Sequence, residues 1–204
     1  MHSQDLAPAP DLAAAREAQI LQSLRQACAR DGFDGSSMQR LARAAGMSVG
    51  NFYRYFPSKA AMIEALIRHD IARIEQDFAA ITRAADPFAA LRDGIHRRIR
   101  EHDPQQAALW AEIQAVSLRR PECAAITRDL EAEIITWVLR AFATSSGMGE
   151  QQTRDRFEDQ ARLLVMLVKM SAMRPPDAAT PAMTRLLIAQ ADAILAAIPP
   201  KAVR

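Results

Sequence analysis

Apolar residues recur along the chain at three- and four-residue spacing, and no strand-like alternation of period two interrupts them. Ile20, Leu24, Ala27 and Cys28 form the first such stripe. They predict a helix that Asp11 caps and that runs to about Arg30, where Gly32 accepts the left-handed conformation that ends it. Met38, Leu41, Ala42 and Ala45 mark a short helix, with Ser36 as its N-cap and Gln39 completing a capping box. Gly46 breaks it, Ser48 caps a second short helix over 49–55, and Pro57 closes that one. Ser58 then caps a longer helix through about Ala80, with Met62, Ala65, Leu66, Ile71 and Ile74 near one side.

Prolines punctuate the rest. Asp86-Pro87 is a start signal, a proline in the first turn behind an aspartate cap. Helices are predicted over 87–102, 104–118 and 122–143, the second and third started by Pro104 and Pro121. The Ser-Ser-Gly-Met-Gly run within 144–150 predicts a loop. A helix over 153–173 follows, broken by Pro175-Pro176, and a last one covers 181–198. Residues 1–10 hold two prolines and little pattern, and read as a disordered arm. The fold class is therefore all-α.

Composition agrees. Of 204 residues, half are apolar and a quarter charged, with 7 glycines and 5% aromatics, which argues against a β-sandwich or barrel. No apolar run approaches the roughly 18 residues of a membrane span, and no secretory leader is recognisable, so a cytoplasmic protein with no membrane partner is expected. Cys28 and Cys123 lack metal-ligand or disulfide spacing. Cys28 falls on an apolar stripe and reads as core, whereas Cys123, behind Pro121-Glu122, reads as partly exposed. His96 and His102 are six residues apart, a poor metal pair. With no nucleophile elbow, phosphate loop or dinucleotide fingerprint, neither an enzyme nor a metal or cofactor is expected.

Net charge is only +2, but its distribution matters. Residues 35–63 contain no acid while holding Arg40, Arg43, Arg54 and Lys59. Such a basic island is what a phosphate-facing surface needs, although Arg43 reads as a solvated residue. The same region, 32–59, reads GFDGSSMQRLARAAGMSVGNFYRYFPSK. Two short helices reverse at Gly46-Met47, as in a helix-turn-helix. The second would expose Val49, Gly50, Asn51, Tyr53, Arg54 and Tyr55. Asn51 can read base edges, the tyrosines can touch thymine methyls or phosphates, and Arg54 can reach a guanine or a phosphate. Ser36 and Ser37 can hold a backbone phosphate, and Lys59 offers another such contact. Phe52 and Phe56 read as core of the three-helix unit.

These residues resemble the DNA-binding domain of the tetracycline-repressor (TetR) family. The resemblance rests on Gly32-Phe33, Ser36-Ser37, Leu41-Ala42, Ala45-Gly46-Met47-Ser48, Gly50, Phe52-Tyr53 and the Tyr55-Phe56-Pro57-Ser58-Lys59 ending. It implies a homodimeric, ligand-responsive regulator of transcription, usually a repressor, bound to palindromic operator DNA. It also implies operator contacts at Ser37, Arg40, Ser48, Val49, Gly50, Asn51, Tyr53, Arg54, Tyr55 and Lys59. Asn51 and Phe52 depart from the family's usual residues, as do Ala60 and Ala61 after Lys59.

Beyond about residue 85 the likeness is one of architecture. Residues 163–168 read LLVMLV, apolar almost all round, so that helix is buried on two sides. Either it lies at the centre of a monomer, or one side meets a partner's copy. The resemblance favours a dimer, with Leu164, Leu167, Met183, Leu186, Leu187, Gln190 and Ile194 at its interface. A pocket for a hydrophobic or amphipathic small-molecule effector is expected among His96, His102, Trp110, Gln114, Ser117, Trp137, Met166 and Met170. The organisation expected is a DNA-binding head at 11–57, a connecting helix at 58–80 and a ligand-binding, dimerising body at 81–204. The alternative is a helical small-molecule-binding protein whose head is degenerate.

Overall fold

The computed structural model describes residues 12–32, 35–101 and 103–200. The expected arm, the Asp11 cap, Phe33 and His102 lie outside the described residues. Among the described residues the secondary structure is helical, without strands. The helices are α1 (Leu12–Asp31), α2 (Met38–Ala44), α3 (Val49–Tyr55), α4 (Lys59–Arg83) and α5 (Pro87–Arg100). They continue as α6 (Pro104–Ser117), α7 (Pro121–Ser146), α8 (Glu150–Ala172) and α9 (Pro181–Ala196). A single 3-10 turn at Pro176–Ala178 joins the last two.

The helix starts follow local chemistry. The Asp86 carboxylate accepts from the backbone N–H groups of Phe88 and Ala89, and Asp103 accepts from those of Gln105 and Gln106. The Thr180 hydroxyl accepts from Met183. In each case a proline follows the cap, where its missing N–H has no intrahelical partner to lose.

Three local expectations are corrected. The N-cap of α2 is Ser37, whose hydroxyl accepts from the Arg40 N–H. Ser36 is 1% exposed and donates to the Gly32 carbonyl at 3.0 Å, so it ties down the α1–α2 loop instead of facing a phosphate. The loop expected over 144–150 shrinks, because α7 continues to Ser146 and stops at Gly147, whose φ is +71°. Cys123 is fully buried, since the first turn of α7 faces inward. Burial also pushes its thiol above the usual range, and raises that of Cys28 to about 12, with the Glu112 charge adding to the effect.

Two apolar cores organise the chain. The first gathers Leu24 and Cys28 of α1, Leu41 of α2, Phe52 of α3 and Met62, Leu66 and Ile67 of α4. Leu109 and Ile113 of α6 and Leu130 of α7 belong to the same cluster. The helix-turn-helix is thus packed through α1 onto α6. The second core holds Leu91, Ile95 and Ile99 of α5, Leu139 and Phe142 of α7, Phe157 and Leu164 of α8, and Leu195 of α9.

Inside the first layer lies a charge pair that no local pattern announced. Arg25 of α1 donates both terminal nitrogens to the two carboxylate oxygens of Asp70 on α4, one of them at 3.1 Å. Both side chains are at least nine-tenths buried. A desolvated pair of this kind is a poor source of net stability, but losing one partner strands the other's charge. Arg25→Met is therefore expected to lower unfolding free energy by about 3–5 kcal/mol, and adding Asp70→Met to recover most of that loss. Urea denaturation of the two variants measures both; an Arg25→Met variant as stable as the parent would refute the assignment.

Candidate nucleic-acid interface

Seven residues make too short a helix to persist alone in water, so α2 and α3 depend on caps and on the core. At the end of α2, Gly46 adopts φ +64°. Its N–H reaches the Arg43 carbonyl at 3.0 Å, and that of Met47 reaches Ala42 at 2.9 Å. This pair of bonds satisfies the last carbonyls of α2 and reverses the chain. The Ser48 hydroxyl then accepts from the Asn51 N–H at 3.3 Å and opens α3.

A single side chain of α3, Phe52, is buried. It is fully enclosed and stacks on Phe56 with ring centroids 5.1 Å apart. The other six residues point outward: Val49, Gly50, Asn51, Tyr53, Arg54 and Tyr55 are all exposed. The Arg54 guanidinium lies 5.9 Å from the Tyr55 ring centroid, a cation–π contact that biases both side chains. Lys59 is half-buried at the start of α4, behind Ser58, whose hydroxyl accepts from Ala61. Ser37 is exposed but its hydroxyl serves the α2 cap. Arg40 is exposed and tethered: it donates to Asp31 at 3.2 Å and to the Gly35 carbonyl at 3.5 Å. Sequence reasoning missed that tether, because its carboxylate lies nine residues back across a loop.

The residues expected to line an effector pocket are not brought together. Trp110 packs against the first core, and Gln114 is half-buried on the same helix. The Ser117 hydroxyl donates to the Ile113 carbonyl at 2.8 Å and accepts from Thr127. His96 is paired with Asp192 of α9 at 2.8 Å. Trp137 stacks on Phe78 of α4 and borders an open groove of about 370 Å³ beside Glu133, Thr136 and Arg140. Met166 and Met170 are more than half exposed on the outer side of α8, so they line no interior.

The expected interface residues divide as well. Leu164 is 1% exposed within the chain's own second core and cannot face a partner. Leu167, Leu187 and Ile194 pack partly against that core. Met183, Leu186 and Gln190 are exposed. The outward apolar positions of α8 are instead Leu163, Met166 and Met170, spaced three and four residues apart.

A capped helix-turn-helix with an outward second helix, mounted on an all-α body, is the architecture of a DNA-binding transcriptional regulator. Residues 20–66 match the family described as bacterial regulatory proteins, tetR family. The chain is 28% identical over 140 residues to the HTH-type transcriptional regulator UidR of Escherichia coli (strain K12), covering 64% of this chain and 66% of that one. It is 35% identical over 130 residues to the HTH-type transcriptional repressor Rv1474c of Mycobacterium tuberculosis, covering 58% and 66%. The matches thus span just under two thirds of these relatives' length. Among solved structures, Salmonella enterica GusR superposes with a TM-score of 0.70 at 26% identity, over 93% of this chain and 98% of that one. Residues 20–66 thus carry a DNA-binding domain of the tetR family, and the fold of nearly the whole chain is similar to that of GusR.

Phe52→Ala empties the one anchor of α3 and is expected to destabilise the protein by about 3–5 kcal/mol. Tyr53→Ala, a change at an exposed site, should fall within about 0.5 kcal/mol of the parent. Denaturant titration compares them, and equal losses would contradict the assigned burial pattern.

Proposed function

We propose that the protein represses transcription by binding an inverted-repeat operator as a homodimer, and that a small hydrophobic or amphipathic effector releases it. The observation that carries the reading is α3. Six of its seven residues face outward, and the only buried one fixes its orientation. Asn51 offers hydrogen bonds to base edges. Arg54, Tyr53 and Tyr55 serve bases or phosphates, and Ser37, Arg40, Ser48, Val49, Gly50 and Lys59 complete the contact surface. The head comprises residues 11–57, the connecting helix 58–80 and the body 81–204. The relative named a repressor supports the sign of regulation. In the described residues no helix is long and apolar enough to cross a membrane.

Dimerisation is assigned to the outward stripes of α8 and α9: Leu163, Met166 and Met170 with Met183, Leu186 and Gln190. Exposed apolar side chains at this spacing form a self-complementary face when related by a two-fold axis. A dimer places its two recognition helices about 34–36 Å apart, in successive major grooves. An effector that prefers another spacing weakens DNA binding by a coupling of about 1–3 kcal/mol. The half-buried Trp110, Gln114 and Trp137 are the remaining candidates to touch it.

Selection of bound duplexes from a random DNA pool tests the reading. An inverted repeat is expected; recovery of nothing beyond a salt-sensitive background would overturn it. On the selected duplex, Arg54→Ala and Lys59→Ala should each weaken binding, with Lys59→Ala reducing the salt slope by about one. Affinities and slopes matching the parent would remove those residues from the surface. Met166→Glu should yield monomers in sedimentation, and a persistent dimer would move the interface elsewhere.

A further inference from the structure

The end of α1 and one side of α2 enclose an open cleft of about 320 Å³ that the reading of α3 does not use. Three arginines line it: Arg30 from α1, and Arg40 and Arg43 from α2. We propose that this cleft grips a backbone phosphate of the DNA flanking the segment read by α3, extending the footprint of the head beyond the recognition helix. The proposal rests on the DNA-binding reading given above.

The cleft is organised around one carboxylate. Arg30 donates through Nε and a terminal nitrogen to the two Asp31 oxygens, both at 2.9 Å. Arg40 reaches the same carboxylate at 3.2 Å from the opposite wall. These bonds hold the Asp31 carboxyl below the usual carboxylate range, chiefly through the Arg30 hydrogen bond. Asp31 therefore stays ionised at neutral pH and positions two guanidinium groups that would otherwise sample many rotamers. A guanidinium carries five N–H donors, so both keep donors to spare. Arg43 stands three residues after Arg40, on the same side of α2, and is exposed at the rim. Three positive charges against one negative leave the cleft at +2. The floor is closed by Leu41 and by Ser36, whose hydroxyl is already committed to Gly32.

A phosphodiester presents two free oxygens that match forked N–H donors, a geometry lysine does not supply. Two features favour DNA as the source of that phosphate. Arg40 belongs both to the cleft and to the α2 end of the proposed DNA surface, so the two surfaces are continuous. The acid-free stretch 35–63 also supplies two of the three arginines. Sequence reasoning assigned Arg43 to solvent; the cleft gives it a partner of defined chemistry.

The test uses the full-length protein, the Arg30→Gln/Arg43→Gln double variant and the duplex recovered by selection. The duplex is prepared in two forms, trimmed to the inverted repeat and extended by about half a helical turn at each end. Binding is followed by fluorescence anisotropy across a salt series. On the extended duplex the double variant should bind at least about tenfold more weakly at low salt, with a slope shallower by about two for a dimer with two clefts. On the trimmed duplex the two proteins should coincide. Coincidence on the extended duplex as well would overturn the cleft assignment while leaving the regulator intact. Failure of the parent to bind any duplex would overturn both. Calorimetry without DNA, using inorganic phosphate and then a nucleoside triphosphate, gives the remaining arm. Saturable binding lost in the double variant would mean that the cleft holds a free phosphorylated ligand, and would overturn the DNA assignment. Both arginines are exposed, so unchanged thermal unfolding is the folding control; if it shifts, Arg43→Gln alone is read, with half the slope change.

Discussion

One aromatic ring sets the position of the surface on which everything else depends. A helix of seven residues has too few internal hydrogen bonds to offset the entropy of nucleating it. α3 exists because Phe52 is driven out of water into the first core, and because Ser48 and the turn at Gly46 satisfy its first donors and the last acceptors of α2. With burial confined to that one position, the other six side chains are left facing solvent. The same division explains how such a head accepts Asn51 without loss of fold: the position is solvated and its side chain supports nothing.

The next layer transmits that positioning. α1 lies between the reading unit and the body, giving Leu24 and Cys28 to a core that also holds Leu109 and Ile113 of α6. The Arg25–Asp70 pair fixes α1 against α4 in register, since a forked guanidinium accepts a carboxylate in few orientations. Any displacement of α4 or α6 would therefore be felt by the head through these packed contacts. The second core, built on α5, α7, α8 and α9, keeps the outward stripes of α8 and α9 on the far side of the body's interior.

Much of this was legible in the sequence where the physics is local. Asp86-Pro87, Pro104 and Pro181 announced their helices because capping needs only neighbouring atoms, and Pro121 marked α7 by its place in the first turn alone, without a side-chain cap. The outward residues of α3 were equally readable, since Phe52 and Phe56 fix the phase of a short helix. Errors arose where neighbours tie. Ser36 and Ser37 carry identical hydroxyls, and burial against Gly32 decided which of them caps α2. The run at 163–168 is apolar on all sides and so carries no phase of its own. The position of α7 decides that Leu164 turns inward and Met166 outward. Arg25 and Asp70 are 45 residues apart, and no pattern along the chain links them. Cys123 looked exposed beside Pro121-Glu122, yet the turn it occupies faces the first core.

The shared first core also bears on how proteins of this architecture can be recombined. A head cut out at the start of α4 would leave the apolar side of α1 facing water where Leu109 and Ile113 had covered it. A chimera joining this head to another body would have to inherit the complementary side of α6, or evolve one. The boundary between head and body in this chain is thus the surface of α6, not the linker between α3 and α4.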